Sequence, residues 1–221
     1  MPKVDPRHFI TSPQATALLI VDMQNDFVLP GAELSTPHAV DIIPSIVTLA
    51  DACRTNGFPV IYTQEEHRPG LEDFGIEGSF ESPHCLEGTP GGAIVNGLQP
   101  KEQDYIIAPK RRYDAFFGTE LDLLLRCLKV ENLLFAGVCT DICVISTVYH
   151  ARNLDYRCYV VEDAVDGTSV ERHEAALLCM SHVWAMTGTS RQAAEIFDLP
   201  LGKGPEDSLV HQVSIRQGQH R

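Results

Sequence analysis

The sequence predicts an α/β fold built on a parallel β-sheet. Short apolar runs that contain β-branched residues recur along the chain, and helix-periodic segments lie between most of them. This alternation is typical of βα units, in which each strand is followed by a helix that packs on the sheet. No Gly/Ser/Pro-rich linker divides the 221 residues, so we expect one domain over residues 1–200 and a C-terminal extension over residues 201–221.

The first half of the chain supplies three of the expected strands and one helix. The run Leu18-Leu19-Ile20-Val21 is continuously apolar, as in a strand that is buried on both faces. We expect strands over residues 17–21, 60–62 and 105–108, and a helix over residues 38–55 that the pair Asn56-Gly57 terminates. Residues 64–104 are rich in Gly, Pro and Glu and lack periodicity, which predicts a long loop that serves as a lid or a binding loop.

The second half of the chain continues the same alternation. Apolar runs predict strands over residues 133–138 and 159–161, and helical periodicity predicts helices over residues 119–129, 140–153 and 170–186. A short sixth strand is expected near residues 183–187, where it overlaps the end of the last helix. These elements complete the parallel sheet.

Composition limits the partners and the location of the protein. A net charge of −13 argues against nucleic acid and anionic membranes as partners, so we expect a small molecule or another protein. The seven cysteines lie mostly in apolar stretches, as free thiols do in a reducing compartment. The first residues lack the apolar segment of a signal peptide, and no apolar run is long enough to span a bilayer. We therefore expect a cytoplasmic protein.

The most reactive candidate is a cysteine at a strand-to-helix turn. The segment Gly137-Val138-Cys139-Thr140-Asp141-Ile142-Cys143-Val144 follows a buried strand and begins a helix. A thiol in that position faces the positive end of the helix, and the thiolate is the form that attacks carbonyl carbon. Cys143 is therefore a candidate nucleophile.

Two other strand ends carry residues that suit a nucleophilic cysteine. Asp22 follows the first strand and Lys110 follows the third. Taken alone, Asp22 is more often a helix-capping or loop carboxylate, and Lys110 belongs to a basic stretch that is more often solvated. However, the carboxyl ends of parallel strands meet at one edge of a sheet, so Asp22, Lys110 and Cys143 are expected to converge on one crevice.

Three pieces of sequence, taken in order, resemble the isochorismatase-like cysteine hydrolases, a superfamily that includes nicotinamidases, carbamoylsarcosine amidases, biuret hydrolases and ureidoacrylate hydrolases. The pieces are residues 21–27, Lys110 with Tyr113, Phe116 and Thr119, and residues 137–144. The resemblance implies a three-layer αβα fold with a six-stranded parallel sheet of order 3-2-1-4-5-6. It also implies a homodimer or homotetramer.

The resemblance implies a mechanism in which Cys143 attacks an amide carbonyl and forms a thioester. Asp22 would take the thiol proton and return it to the leaving amine, while Lys110 holds Asp22 and stabilises the thiolate. The backbone N–H groups of Cys139 and Cys143 would form the oxyanion hole, after a cis peptide bond between Val138 and Cys139. No cofactor is required for this chemistry. True isochorismatases lack the cysteine, so Cys143 points to hydrolysis of a small carboxamide or ureido compound.

Cys139 and Cys143 also allow a different interpretation. Residues four apart on a helix share a face, so the two thiols could form a metal-binding or disulfide pair. No second pair of suitable ligands lies nearby in the sequence, and the turn between the two cysteines separates their directions. We therefore favour separate roles.

Aromatic and basic residues near the three catalytic candidates are expected to shape the substrate pocket. Phe27, Tyr113 and Phe116 flank the candidates in sequence and would wall the pocket, although core packing explains any one of them equally well. Arg68, Arg111 and Arg112 would supply a fork for a carboxylate or ureido oxygen, or remain surface charges.

A metal site is the least determined feature of the sequence. In nicotinamidases an acid-x-His pair and a later His bind a metal that receives the pyridine nitrogen, and Glu65, His67 and His84 match this pattern loosely. Here Glu replaces the usual Asp, and residues 69–74 contain no further His. Hydrogen-bonded loop histidines are an equally good interpretation of His67 and His84.

Three functional interpretations follow from these residues. The leading one is a cofactor-independent cysteine amidohydrolase, and the second is a metal-containing nicotinamidase that needs a divalent ion. The third, from another class, is a non-catalytic binding or scaffold protein that keeps the same fold. A nucleotide-binding protein with a similar sheet is disfavoured because no G-x-G-x-x-G turn follows the first strand.

Overall fold

A computed structural model of the protein describes residues 9–201, so the predicted extension lies outside the described residues except for Leu201. Its six strands are β1 (Thr16–Val21), β2 (Val60–Glu65), β3 (Tyr105–Lys110), β4 (Asn132–Val138), β5 (Arg157–Asp166) and β6 (Met186–Gly188). Its α-helices are α1 (Asn25–Val28), α2 (Ile43–Thr55), α3 (Leu121–Cys127), α4 (Ile145–Asn153), α5 (Val170–Val183) and α6 (Ser190–Phe197).

The six strands form one parallel sheet of order β3-β2-β1-β4-β5-β6, which confirms the expected topology. The central strand β1 is buried along its whole length, because its apolar side chains face a helical layer on each side. Leu18 and Ile20 pack with α2 and α6. Leu19 and Val21 pack with α3, α4 and α5. The alternation of side chains along β1 thus builds the three-layer αβα core.

The order of the sheet determines where a ligand can bind. From β1 the chain crosses to β2 on one side of the sheet and later returns to β4 on the other side. A crevice opens outside the carboxyl ends of two strands whose connections diverge in this way. The segments that follow β1 and β4 are those that carry Asp22 and Cys143.

Several predicted boundaries differ from the structure for local reasons. Helix α2 begins at Ile43 rather than residue 38, because residues 36–42 form turns and Pro44 occupies the first turn of the helix. Lys110 is the last residue of β3 rather than the residue after it. Helix α5 ends at Val183, which leaves β6 as a separate strand.

Helix α6 was not predicted from the sequence, although it carries a recognisable start signal. The Thr189 side chain accepts a hydrogen bond from the Gln192 N–H, and the Gln192 side chain accepts one from the Thr189 N–H. This reciprocal pair is a capping box. Within residues 9–201 no helix combines the length and apolar composition that crossing a membrane requires.

Candidate active site

The structure brings Asp22, Lys110 and Cys143 together at the carboxyl edge of the sheet. Asp22 follows β1, Lys110 ends β3, and Cys143 lies in the single π-helical turn Thr140–Val144 that connects β4 to α4. Asp22 and Lys110 are fully buried, and Cys143 is 6% exposed. The three side chains come from separate elements, so their meeting depends on the assembled sheet.

Lys110 lies between the acid and the thiol. Its Nζ atom is 2.8 Å from Asp22 Oδ2 and 3.8 Å from Cys143 Sγ. The Sγ atom of Cys143 and a carboxylate oxygen of Asp22 lie within 4.8 Å of each other. A proton can therefore pass between thiol and carboxylate after a small movement of either side chain.

Asp22 is held by its backbone and by Thr63 on β2. The Thr63 hydroxyl donates a 2.5 Å hydrogen bond to Asp22 Oδ1 and accepts one of 3.1 Å from the Asp22 N–H. Asp22 itself has φ 48°, a left-handed conformation that turns the chain sharply out of β1. Although Asp22 Oδ2 lies close to Lys110, it accepts no well-aligned hydrogen bond from residues 9–201, which leaves it available to a proton donor.

Burial raises the pKa of Asp22, and the attraction of Lys110 offsets this only in part. Burial alone would lower the pKa of Lys110, but Asp22, Cys143 and Glu65 raise it well above its ordinary value. Lys110 is therefore a permanent cation. An ionised Asp22 beside it can act as a base whose affinity for protons exceeds that of an exposed carboxylate.

The thiol of Cys143 differs from the sequence expectation. Burial raises its pKa well above the ordinary value, and this effect outweighs the lowering by Lys110. Desolvation of the sulfur thus dominates over the helix terminus, and the resting residue is a thiol rather than a preformed thiolate. A nucleophilic Cys143 would consequently need a base at the moment of reaction, and Asp22 is the nearby carboxylate that could serve.

The turn between β4 and the π-helical turn separates the two cysteines. The peptide bond between Val138 and Cys139 is cis, as the resemblance implied. Cys139 Sγ lies 3.2 Å from the Thr36 hydroxyl, and burial raises the pKa of this thiol to about 12. In the described part of the chain Cys139 belongs to no group that could hold a metal ion. Its side chain thus has a contact of its own, separate from that of Cys143.

Glu65, the last residue of β2, is a second carboxylate partner of Lys110. Burial opposes its ionisation, but Lys110 and the neighbouring histidines lower its pKa well below the ordinary value. One ammonium group is thus shared by two carboxylates, and Glu65 holds its charge more strongly than Asp22. The sequence singled out Glu65 only as a metal candidate, because its pairing with β3 was not visible there.

Glu65, His67, Glu77 and His84 form a fully buried cluster whose ligating atoms lie within 4.8 Å of one another. His84 Nε2 makes a 2.8 Å hydrogen bond with Glu65 Oε1. Both ring nitrogens of His67 and the Oε1 atom of Glu77 have no hydrogen-bond partner among residues 9–201. Two imidazoles and two carboxylates suit a zinc or iron ion, and unsatisfied buried atoms are unfavourable without one. The residues therefore fit a divalent metal.

Sequence reasoning missed several residues that hold this region in place. Gln24 is fully buried, and its side chain donates hydrogen bonds to the carbonyl oxygens of Glu65 and Gly92 at 2.7 and 2.8 Å. It also accepts one of 2.7 Å from the Glu65 N–H. Asp26 accepts a 2.8 Å hydrogen bond from the Cys85 N–H. The segment after β1 thus fastens the long loop that carries His84, a role for which an isolated Gln or Asp gives no signal.

A cavity of about 210 Å³ opens onto Cys143. Its lining residues are Asp22, Phe27, Leu34, Ser35, Thr36, Glu65, Glu81, Tyr113, Val138, Cys139, Ile142, Cys143 and Thr168. Sites for drug-sized ligands usually measure about 300–1,000 Å³, so this cavity suits a smaller molecule. Glu81 of the cavity and Glu77 of the buried cluster both come from the loop of residues 64–104, and the sequence analysis predicted neither as a site residue.

Two of the three aromatic residues expected to wall the pocket lie at the cavity, and the third does not. Phe27 and Tyr113 line the cavity. Phe116 lies away from it, because its ring packs in the helical layer against His150 and Tyr156 at 5.0 and 6.0 Å. Burial in that layer gives Phe116 a core-packing role.

The predicted arginine fork is not present at the cavity. Arg111 makes ion pairs with Asp73 and Glu87 at 2.9 and 2.6 Å. Arg112 donates a 2.8 Å hydrogen bond to the Asp73 carbonyl oxygen. Neither these two residues nor Arg68 line the cavity. The arginines instead fix the loop that carries Asp73, and Arg68 remains exposed.

Comparisons with known proteins identify sequences and structures that are similar to this chain. The sequence model described as "Isochorismatase domain" matches residues 16–192. The chain is similar to a probable inactive nicotinamidase of Arabidopsis thaliana, with 33% identity over 81% of this chain and 95% of that protein. It is also similar to the ureidoacrylate amidohydrolase RutB of Rhizobium rhizogenes, with 33% identity over 72% of this chain and 73% of that protein.

A solved structure with a similar fold is the pyrazinamidase of Pyrococcus horikoshii in complex with zinc. The TM-score is 0.73 and the sequence identity is 30%, over 79% of this chain and 99% of the other. The likeness therefore extends over most of this chain.

Proposed function

The chain belongs to the isochorismatase family, and on that premise we propose that it is a cysteine-dependent amidohydrolase. It cleaves the C–N bond of a small carboxamide or ureido compound through a thioester intermediate. The observation that carries this proposal is the buried contact of Lys110 with both Asp22 and Cys143. A cation between an acid and a thiol lets the thiol lose its proton without leaving an unpaired buried charge.

In the first half of the reaction the Cys143 sulfur bonds to the amide carbonyl carbon as Asp22 Oδ2 takes the thiol proton. Lys110 keeps the developing negative charge paired throughout. The carbonyl oxygen becomes an oxyanion, for which the backbone N–H groups of Cys139 and Cys143 are the donors. The first N–H groups of a helix have no intrahelical acceptor, and losing one such donor typically costs about 3 kcal/mol of transition-state stabilisation.

In the second half of the reaction the tetrahedral intermediate collapses. The C–N bond breaks, Asp22 gives its proton to the departing nitrogen, and ammonia or an amine leaves. Asp22 then takes a proton from water as that water attacks the thioester carbon, and it returns the proton to the sulfur. One carboxyl group thus serves as acid and base in turn, which its raised pKa favours.

A panel of small amides tests this proposal. Ammonia release would be measured from nicotinamide, biuret, N-carbamoyl amino acids, ureidoacrylate and simple aliphatic amides, with and without added metal. We expect turnover of at least one compound and a loss of about 10⁴-fold or more in kcat for Cys143→Ala. Cys158→Ala is the matched control, because it removes a buried thiol on β5 that does not line the cavity.

The outcome also separates the enzyme from a non-catalytic protein of the same fold. An absence of turnover across the panel, or equal activity of wild type and Cys143→Ala, would contradict the cysteine hydrolase. Selective loss in Cys143→Ala excludes the scaffold interpretation.

The buried four-residue cluster favours a second candidate function, a metal-containing nicotinamidase. Glu65, His67, Glu77 and His84 would hold the ion, in place of the present contact between His84 and Glu65. When bound, the ion supplies a Lewis acid that holds and polarises a heteroatom of the substrate. Zinc in the similar pyrazinamidase structure supports this candidate.

Metal binding itself can be measured without an activity assay. Elemental analysis after incubation with Zn²⁺ or Fe²⁺ and gel filtration is expected to give one ion per chain. His67→Ala should reduce the retained metal at least tenfold, because it removes one of about four ligands. His182→Ala is the control, since His182 is exposed on α5.

The nicotinamidase candidate then makes a separate claim about activity. It requires that a chelator abolish nicotinamide turnover and that zinc or iron restore it. Turnover that survives complete removal of metal supports the cofactor-independent hydrolase instead.

A further inference from the structure

We propose that the catalytic cavity selects small amides that are uncharged or carry a positive charge and rejects those that carry a carboxylate. Glu81 is the specificity-determining residue. This inference deepens the proposed function and rests on it, because it concerns the substrate of the same site. It follows from the charges that line the cavity and from the placement of every nearby arginine.

The cavity contains more negative than positive charge. Three carboxylate side chains line it, those of Asp22, Glu65 and Glu81. The only lysine or arginine that contacts any of them within residues 9–201 is Lys110, which is shared by Asp22 and Glu65. A proton on His84, which hydrogen-bonds to Glu65, would still leave the carboxylates in excess. A substrate carboxylate in this space would meet like charge with little water to screen it.

Glu81 is the carboxylate of this cavity whose side chain makes no direct ion pair or hydrogen bond within residues 9–201. It follows the 3₁₀ turn Gly75–Ser79, and its backbone N–H donates a 3.0 Å hydrogen bond to the Glu77 carbonyl oxygen. Its side chain is half-buried and makes no ion pair or hydrogen bond with the residues that the structure describes. Glu81 lines both the catalytic cavity and the outer groove beside α5. A substrate that enters from this groove therefore passes its carboxylate.

No arginine lines the catalytic cavity, and two of the arginines near it are engaged in other contacts. Arg111 forms ion pairs with Asp73 and Glu87, and Arg112 donates a hydrogen bond to the Asp73 carbonyl oxygen. Arg172 lines only the outer groove, where it donates a 3.3 Å hydrogen bond to the Thr168 hydroxyl. Carboxylates are usually recognised by a bidentate arginine, and the cavity lining holds none.

The remaining polar groups suit an uncharged or basic ligand. The hydroxyl-bearing residues Ser35, Thr36, Tyr113 and Thr168 line the cavity together with apolar side chains. A hydroxyl both donates and accepts hydrogen bonds, so it accommodates amide, ring-nitrogen and ammonium groups, and the discrimination between charges comes from the carboxylates. The Glu81 carboxylate, between the cavity and the outer groove, attracts a cationic substrate and repels an anionic one. Repulsion of the wrong substrate thus adds to the specificity that direct contacts provide.

The charge of the cavity can be measured at Cys143 itself, without knowledge of the substrate. Iodoacetamide and iodoacetate have almost the same size, and only the second carries a negative charge. Peptide mass spectrometry would give the alkylation rate of Cys143 with each reagent at pH 8. Each rate is divided by the rate of the same reagent with glutathione, which removes the intrinsic difference between the two reagents.

We expect the normalised iodoacetate rate of wild type to be about tenfold or more below the normalised iodoacetamide rate. E81Q should raise the iodoacetate-to-iodoacetamide ratio about fivefold, because it removes the unpaired charge and keeps the shape. E102Q is the matched control and should leave the ratio unchanged, since Glu102 is exposed just before the amino end of β3. The same comparison after dialysis against a chelator should give the same E81Q effect.

Two results would overturn the inference. One is an iodoacetate-to-iodoacetamide rate ratio that is the same for Cys143 of the wild type as for glutathione. The other is an equal change of this ratio in E81Q and E102Q. A failure of Cys143 to react with either reagent while the exposed Cys127 and Cys179 react would count against an accessible nucleophile, and so against the proposed function. Charge discrimination without any amide turnover would contradict the proposed function but keep the assignment of Glu81.

A substrate series gives the second readout. Succinamide, succinamate and 4-aminobutanamide are similar in length and are neutral, anionic and cationic. We expect kcat/KM to be lowest for succinamate by at least about tenfold, and E81Q to reduce the preference for 4-aminobutanamide over succinamate. A wild-type enzyme that prefers succinamate contradicts the inference.

Discussion

At the scale of single residues, the protonation states at the site follow from burial and from the position of one lysine. Burial raises the pKa of both Asp22 and Cys143, whereas the pKa of Lys110 is raised by the negative groups around it. The resting site therefore holds a thiol beside a carboxylate–ammonium pair. In the proposed mechanism, proton transfer from Cys143 to Asp22 accompanies attack, which would make the rate sensitive to the pKa of Asp22.

The pH profile of the enzyme tests this arrangement through Thr63. Asp22 must be ionised to accept the thiol proton, so activity falls as the pH falls through the raised pKa of Asp22. The hydrogen bond from Thr63 favours the ionised carboxylate. Thr63→Val removes that bond, so the pKa should rise further and the acid limb of kcat/KM should move to higher pH by about 0.5–1 unit.

Thr63→Ser is the control for the pH profile, because it retains the hydroxyl and should leave the acid limb in place. The measurement uses the amide from the panel that is turned over fastest. A downward shift in Thr63→Val, or no shift, would contradict Asp22 as the base.

The sequence contains enough information to propose Asp22, Lys110 and Cys143, since each is placed by a strand whose apolar pattern is clear. The same reasoning could not find Thr63, because an inward-facing Thr within a buried strand is indistinguishable from a packing residue. It also could not find Glu77 and Glu81, which lie in a segment without periodicity and reach the site only through loop contacts.

At the scale of elements, the close approach of β1 and β4 places Cys143 near Asp22. Gly137 pairs with Val21 in the sheet and has φ 107°. A Cβ atom at Gly137 would lie 2.1 Å from the Val21 carbonyl oxygen and 2.7 Å from its nitrogen. Only glycine allows these backbones to approach at the point where both catalytic segments leave the sheet.

Gly137→Ala should therefore destabilise the protein by about 3 kcal/mol or more, since a backbone overlap adds to the cost of a left-handed φ. The free energy of unfolding would be measured in urea. Gly57→Ala is the matched control, because Gly57 also has a positive φ but its Cβ would meet no atom within 4 Å. That variant should cost about 1 kcal/mol. Equal costs for the two variants would contradict the steric account of the β1–β4 junction.

The observed helices and strands show which features of the sequence were sufficient to predict them. The apolar runs located five strands because a buried parallel strand has a continuous hydrophobic pattern. Strand β6 and helix α6 are short, and the pattern of α5 extends over β6, so length and periodicity gave little guidance there. The long loop was recognised as functional from composition, but its fold depends on Gln24 and Asp26, which bond to it from the segment after β1.

At the scale of the whole molecule, the α/β class was predictable because the alternation of strands and helices runs through the chain. The strand order and the three layers came from the family resemblance, and the structure confirms both. The expected homodimer or homotetramer stays a prediction. Large apolar side chains that remain exposed on α3 and α5, those of Leu123, Leu178 and Val183, are candidates for such an interface.

The composition gives a formal net charge of −13 but does not show where in the molecule the negative charge lies. Part of the acidic excess lies inside the catalytic cavity, where the Glu81 side chain makes no direct ion pair or hydrogen bond within residues 9–201. This cavity differs from an ordinary acidic surface because its carboxylates are shielded from water and only one lysine contacts them. Burial strengthens the effect of these carboxylates on a bound charge.

Mass spectrometry during turnover would show whether Cys143 carries the acyl group of the substrate. The enzyme would be mixed with the fastest amide of the panel and quenched in acid within a single turnover. We expect the peptide containing Cys143 to gain the mass of the acyl group, hydroxylamine to remove it, and Cys143→Ala to show neither adduct nor ammonia release. An acyl group on a different residue, or continued turnover by Cys143→Ala, would contradict the proposed mechanism.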